Sequence, residues 1–134
     1  MTYLLDTNVC IRIINGRSGI ARQKLLSHPA EEIIVCSIVR AELFYGASKS
    51  QTPQATQRKQ ALFLMPFASL PFDDAAANTY GRIRAELEQS GTPIGPLDLQ
   101  IAAIALAHQL TLVTHNTREF GRIPHLQLED WETV

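Results

Sequence analysis

Five polar residues interrupt or close the apolar runs of this 134-residue chain: Asp6, Glu42, Asp98, Asn116 and Glu119. Four are acids far apart in sequence, and the chemistry open to them depends on whether they meet. Two full charges about 4 Å apart cost on the order of 4 kcal/mol at an effective dielectric near 20. A converging set therefore either shares a proton, which raises one pKa, or holds a hard divalent cation. All-oxygen ligation favours Mg²⁺ or Mn²⁺ over zinc. A cation held by few carboxylates and several waters can orient a water, lower its pKa and neutralise charge on a phosphate oxygen. The chemistry that follows is hydrolysis of a phosphodiester by a metal-activated water.

Each residue taken alone has a plainer role. Asp6 before Thr7 and Asn8 reads first as a helix N-cap. Asp98 suits the positive end of a helix dipole, Glu42 and Glu119 could be solvated, and Asn116 could form a turn. Asp73 and Asp74 also follow a strand, and these two are read as caps. The case for a site is the conjunction, because acids recur after separate strands.

Those strands come from the apolar pattern. Tyr3 to Leu5, Ile33 to Cys36 and Leu110 to Thr114 read as strands, with weaker ones at Ser69–Phe72, which contains Pro71, and at Leu126–Leu128. Helices are expected over Val9–Ile14, Ile20–Leu26, Ile38–Ser48 behind a Ser37 cap, Gln54–Leu64, Ala75–Ser90 and the nearly all-apolar Leu99–Ala107. Strands alternating with helices predict a parallel sheet covered on both faces, an α/β/α sandwich. In such sheets the functional crevice lies outside the carboxyl ends of the strands. Asp6, Glu42, Asn116 and Glu119 all fall on strand-to-helix connections at that edge, and Asp98 joins them if its helix points the same way.

Hydrophobic residues make up 46% of the chain and charged residues 19%, which excludes a disordered or coiled-coil protein. Two cysteines, Cys10 and Cys36, are too few for a disulfide scaffold, lack zinc-site spacing and read as buried apolar residues. The longest apolar stretch, Ile101–Ala107, is far short of the roughly 20 residues a membrane span needs. No secretory leader is evident, so one soluble, cytoplasmic domain over residues 1–134 is expected. The net charge of −1 argues weakly against a polyanionic partner. If four acids share a cation pocket, nine remain against twelve basic residues, a surplus of three positive charges.

Ordered stretches across the whole chain resemble one family. They are Leu4-Leu5-Asp6-Thr7-Asn8, Ser37-Ile38-Val39-Arg40-Ala41-Glu42-Leu43-Phe44-Tyr45-Gly46, Ile83-Arg84-Ala85-Glu86-Leu87, Gly95-Pro96-Leu97-Asp98-Leu99-Gln100-Ile101-Ala102-Ala103, Leu112-Val113-Thr114-His115-Asn116-Thr117-Arg118-Glu119-Phe120 and the tail Leu128-Glu129-Asp130-Trp131. Together they resemble the PIN-domain ribonucleases, specifically the VapC toxins of VapBC toxin–antitoxin pairs. The resemblance implies a PIN-like three-layer α/β/α fold with a central parallel sheet and Mg²⁺-dependent endoribonuclease activity, with Mn²⁺ a possible substitute. It places the family's acids at Asp6, Glu42 and Asp98, with Asp6 and Asp98 as the metal ligands. Asn116 or Glu119 stands where PIN domains often carry a fourth aspartate, which favours one tightly held cation over a two-metal clamp.

Thr7 and Thr114 would hold hydroxyls near the metal waters or the scissile phosphate, or else serve as caps. Asn8 would fix the first loop. Arg118 heads the candidates for RNA backbone contact, ahead of Arg12, Arg40, Arg84 and Arg122, each of which could equally be an ordinary surface arginine. The implied partners are a structured RNA, with initiator tRNA foremost, a cognate VapB-type antitoxin that inserts a basic side chain into the acidic pocket, and a second copy of the chain in a homodimer. The run Leu62 to Phe67 reads first as core, with a dimer or antitoxin interface as its alternative. Two other classes compete. A receiver domain would carry adjacent acids after its first strand and a lysine after its last, and neither is present. A non-catalytic RNA-binding module is disfavoured by sparse basic and aromatic interleaving.

Overall fold

A computed structural model of the chain describes residues 1–133; residue 134, the end of the expected domain, lies outside the described residues. The strands are β1 (Tyr3–Leu5), β2 (Ile33–Cys36), β3 (Ala68–Leu70), β4 (Thr111–Val113) and β5 (Leu128–Glu129). The helices are α1 (Thr7–Ile14), α2 (Gly19–Leu26), α3 (Ser37–Ser48), α4 (Pro53–Leu64), α5 (Asp74–Gln89), α6 (Pro96–Ala107) and α7 (Thr117–Phe120). No helix among the described residues is long and apolar enough to cross a membrane.

All five strands are parallel, in the order β3-β2-β1-β4-β5. Tyr3 pairs with Ile33 on one side and with Thr111 on the other, so β1 is central. Parallel strands need crossover helices, and these crossovers are right-handed almost without exception. Moving from β1 to β2 to β3 therefore puts α1–α4 on one face. Moving from β3 to β4 to β5 puts α5–α7 on the other. Packing agrees, since α1 touches α2, α3 and α4, while α5 lies along α6. The expected three-layer sandwich is the fold.

The connections change face between β1 and β4. A crevice must open there, at the carboxyl ends of the two strands, because the chain leaves them toward opposite layers. The core is built to hold that point still. Leu4, Leu5, Leu112 and Val113 are fully enclosed, as are Ile101–Ala105 of α6. Trp131 is also fully enclosed: it stacks on His28 (5.2 Å, 8°), packs against Tyr3 and donates its indole N–H to Glu129 (2.9 Å). Cys10 and Cys36 are free and buried, and burial pushes both thiols up, in keeping with a packing role.

Several boundaries differ from the expectation for local reasons. Strand β3 ends at Leu70, so Pro71 lies outside it and costs the ladder nothing. Cys36, not Ser37, occupies the cap position of α3. Pro96 sits in the first turn of α6, where a missing N–H is harmless, so that helix starts before Asp98. The last strand is Leu128–Glu129 rather than Leu126–Leu128, and α7 was not foreseen because four residues carry too little periodicity. In the run Leu62 to Phe67, Leu64 is buried whereas Leu62 and Met65 are exposed, so only part of it is core.

Candidate active site

Asp6 leaves the end of β1 directly into α1. Its backbone N–H donates to the Val113 carbonyl of β4 (3.1 Å), which fixes it at the crevice between the two strands. Its Oδ1 accepts from the Val9 N–H (2.9 Å), so the N-cap reading holds. Capping is not its whole role, because the side chain is buried. Burial pushes the carboxyl up to about 6, and the charges of Asp98 and Glu132 add to the rise. The Thr114 hydroxyl and the Val9 N–H pull the other way by favouring the ionised form. Thr114 is fully buried, and its oxygen also accepts the Asn116 N–H (3.0 Å). A hydroxyl can do both, since it has one donor and two lone pairs.

Asp98 lies in the first turn of α6, one turn from the cap position that Gly95 occupies. It is half-buried, and its pKa is raised by that burial and then by the charges of Glu42 and Glu119. Glu42, in the second turn of α3, accepts a 2.6 Å hydrogen bond from the Thr7 hydroxyl. Thr7 is therefore a positioning residue for Glu42 rather than a cap. Asn116 donates from Nδ2 to Glu119 Oε2 (2.7 Å), so these two residues act as one unit. The first connection is also shorter than expected: Thr7 and Asn8 are the opening residues of α1, and Asn8 lines the cleft instead of fixing a loop.

The four acids thus occupy one edge and sense one another's charge, with Asp6 coupled to Asp98, and Asp98 to Glu42 and Glu119. Among the described residues, no three His, Cys, Asp or Glu side chains close into a dedicated metal cage. Mg²⁺ dehydrates reluctantly and takes one or two carboxylates plus waters, so two carboxylates are the donors to consider for it. The buried, charge-opposed Asp6 carboxyl with Asp98 beside it is a donor set that fits such an ion.

Asp6, Asn8, Arg12, His115, Asn116 and Glu132 line a cleft of about 400 Å³. Glu132, whose side chain is 5% exposed and ion-paired with Arg12 Nε, joins the cleft without being marked by the sequence pattern. Asp130, equally unmarked, accepts from the Glu132 N–H and meets His115 Nδ1 at 3.0 Å. The signal was available, because any residue that follows a parallel strand arrives at this same edge. Misplacing β5 hid it. Of the other arginines, Arg84 is taken up by Glu88 and Tyr80 on the exposed face of α5, and Arg122 donates to the Pro93 carbonyl. Arg40 sits over the Phe44 ring. Arg118, on the short α7, is exposed.

Comparison with known proteins identifies the family and the fold. A PIN domain family model matches residues 3–126. The chain belongs to the PIN-domain family. Within it, the chain is 44% identical over 133 residues to the Ribonuclease VapC2 of Rickettsia felis, covering 98% of this chain and 99% of that one. It is 39% identical over 131 residues to the tRNA(fMet)-specific endonuclease VapC of Shigella flexneri, covering 98% of each. Among solved structures, VapBC2 from Rickettsia felis bound to a DNA fragment from its promoter superposes with a TM-score of 0.92 at 42% identity, covering 98% of this chain and 99% of that one. The DNA-bound VapBC of Salmonella typhimurium gives 0.92 at 39% identity, covering 98% of each. This PIN domain is of the VapC type.

Proposed function

We propose that this chain is the toxin of a VapBC-type pair, an endoribonuclease that hydrolyses a phosphodiester bond of a structured RNA. The observation that carries the reading is Asp6, a carboxyl held in burial at the β1/β4 crevice against the charge of Asp98. Asp6 and Asp98 would hold Mg²⁺, with Mn²⁺ a substitute, and the Asn116–Glu119 unit faces the same edge. When bound, the cation would supply a water of lowered pKa and neutralise charge on the phosphate. The chain's own residues do the positioning. Thr7 holds Glu42, whose charge reaches Asp98, and Thr114 holds Asp6 on one side and the Asn116 backbone on the other.

A transfer RNA is the proposed substrate, because the Shigella flexneri relative is named as specific for tRNA(fMet) and an anticodon loop presents splayed, unpaired nucleotides to an open cleft. An antitoxin of the VapB type is the proposed partner. A groove whose wall combines Ile11, Ile14 and Leu43 with Asn15, Gln60 and Glu42 itself offers a place for a segment that could deliver a cation to the acids. The cytoplasm is the proposed location.

The test is incubation of the purified protein with total RNA, mapping new ends with Mg²⁺ and with EDTA. Cleavage should require the cation and should vanish in Asp6→Asn and Asp98→Asn while both variants stay folded. Undiminished cleavage in both variants would show that the site lies elsewhere.

A further inference from the structure

Glu132 is enclosed almost as completely as Asp6. Its side chain is only 5% exposed, its Oε1 pairs with Arg12 Nε, and its Oε2 is enclosed with no hydrogen-bond partner among the described residues. It also stands close enough to Asp6 for the two charges to oppose each other. A buried carboxylate in that position costs free energy unless its pairing serves something. The surrounding structure holds it there firmly. Trp131 locks the tail into the core, and Asp130 Oδ1 takes the Glu132 N–H at 2.9 Å.

What Glu132 fixes is Arg12. The carboxylate engages only the Nε–H, and among the described residues the two terminal nitrogens of Arg12 have no protein acceptor. Arg12 lines the same cleft as Asp6 and Asn116 and is about half exposed. A guanidinium held at Nε presents its remaining N–H groups as a planar fork, a geometry matched to phosphate oxygens. Arg84 is engaged at both Nε and Nη1 on another face, and Arg122 is turned to a backbone carbonyl, so neither offers this arrangement.

We infer that Arg12 binds an RNA phosphate adjoining the scissile bond, and that Glu132 is the positioning residue that aims its guanidinium into the cleft. The inference rests on the nuclease reading of the Asp6–Asp98 site and adds to it the residue that sets the substrate backbone in register.

Cleavage of a tRNA substrate by the full chain, with initial rates against RNA and salt concentration, tests it. Arg12→Ala should raise KM about ten- to a hundredfold, the loss expected for one charge-assisted contact. The log–log salt dependence of RNA binding, measured in an Asp98→Asn background to prevent turnover, should flatten by roughly one phosphate's worth. Arg12→Lys should restore the salt slope but only part of KM, because it keeps the charge and loses the fork. Glu132→Gln keeps an acceptor for Nε–H and should lie between wild type and Arg12→Ala, whereas Glu132→Ala should approach Arg12→Ala. Melting curves identify any variant that fails to fold, and Arg12→Lys, at an exposed position, keeps the question open to decision. An Arg12→Ala enzyme with unchanged KM and unchanged salt slope overturns the inference, even if kcat falls or antitoxin binding weakens. Persistence of cleavage in Asp6→Asn would instead overturn the nuclease site itself, a separate outcome.

Discussion

Replacing Asp6 by asparagine should abolish cleavage and make the protein more stable, and the size of the gain follows from the burial of this one carboxyl. Burial shifts it from 3.8 to about 6. At about 1.4 kcal/mol per pH unit, the ionised form costs the folded state up to roughly 3 kcal/mol at neutral pH. The sign is opposite to that of a salt-bridged aspartate. Between pH about 4 and about 6 the folded chain binds more protons at this site than the unfolded chain, so wild-type stability falls as pH rises through that window. Below it, both states carry a protonated Asp6 and nothing is lost. The asparagine would be neutral throughout, and its side-chain oxygen can still accept the Val9 N–H, so the cap bond survives the substitution.

Urea unfolding in EDTA, at half-unit steps from pH 4 to pH 8, measures this directly. Asp6→Asn should match wild type near pH 4 and exceed it by up to about 3 kcal/mol at pH 7.5, a melting rise on the order of 10 °C. Saturating Mg²⁺ at pH 7.5 should raise wild type more than the variant and narrow the gap, because the variant keeps only one of the two proposed carboxylate ligands. A difference that is the same at pH 4 and pH 7.5, or a variant less stable than wild type at neutral pH, would refute the argument from burial.

Two further substitutions probe the surrounding frame. Thr7→Val removes the 2.6 Å bond to Glu42 and should lower kcat about tenfold with little change in melting, while Thr7→Ser should recover most of it. Trp131→Ala should cost about 3–5 kcal/mol in urea unfolding, as expected for emptying a fully enclosed aromatic site. It should also weaken RNA binding, because the freed tail no longer carries Glu132 to Arg12.

The parts of this fold legible in the sequence are those where one physical signal dominates. The β-branched run Ile33–Cys36 and the apolar α6 announce burial on both faces, and the alternation of strand and helix implies parallel pairing. The candidate acids Asp6, Glu42, Asp98 and Glu119, with Asn116, stand out because they follow or interrupt apolar runs, and the structure brings them to one edge. What could not be read is what depends on angles between elements. Whether the Thr7 hydroxyl caps α1 or reaches Glu42, thirty-five residues away, is decided by how α1 packs on α3. Glu132 was hidden for a related reason: a two-residue strand leaves almost no pattern, so the point where β5 ends and the tail begins could not be located.

Asp6 and Asp73 make the limit of local reasoning concrete. Both follow a strand, both take extended backbone angles, and both accept a 2.9 Å bond from the N–H three residues on. By every short-range criterion they are the same residue, an aspartate N-cap. Asp73 keeps its side chain 39% exposed, with His108 Nε2 at 3.6 Å, and water can solvate its charge. Asp6 sits where the chain leaves two neighbouring strands toward opposite layers, enclosed by the sheet and opposed by Asp98. A cap alone needs only an oxygen, which serine or asparagine supplies without a charge to desolvate. A full carboxylate at position 6 therefore carries a desolvation cost that capping does not require, and what separates it from Asp73 is the strand order, a property of the whole sheet.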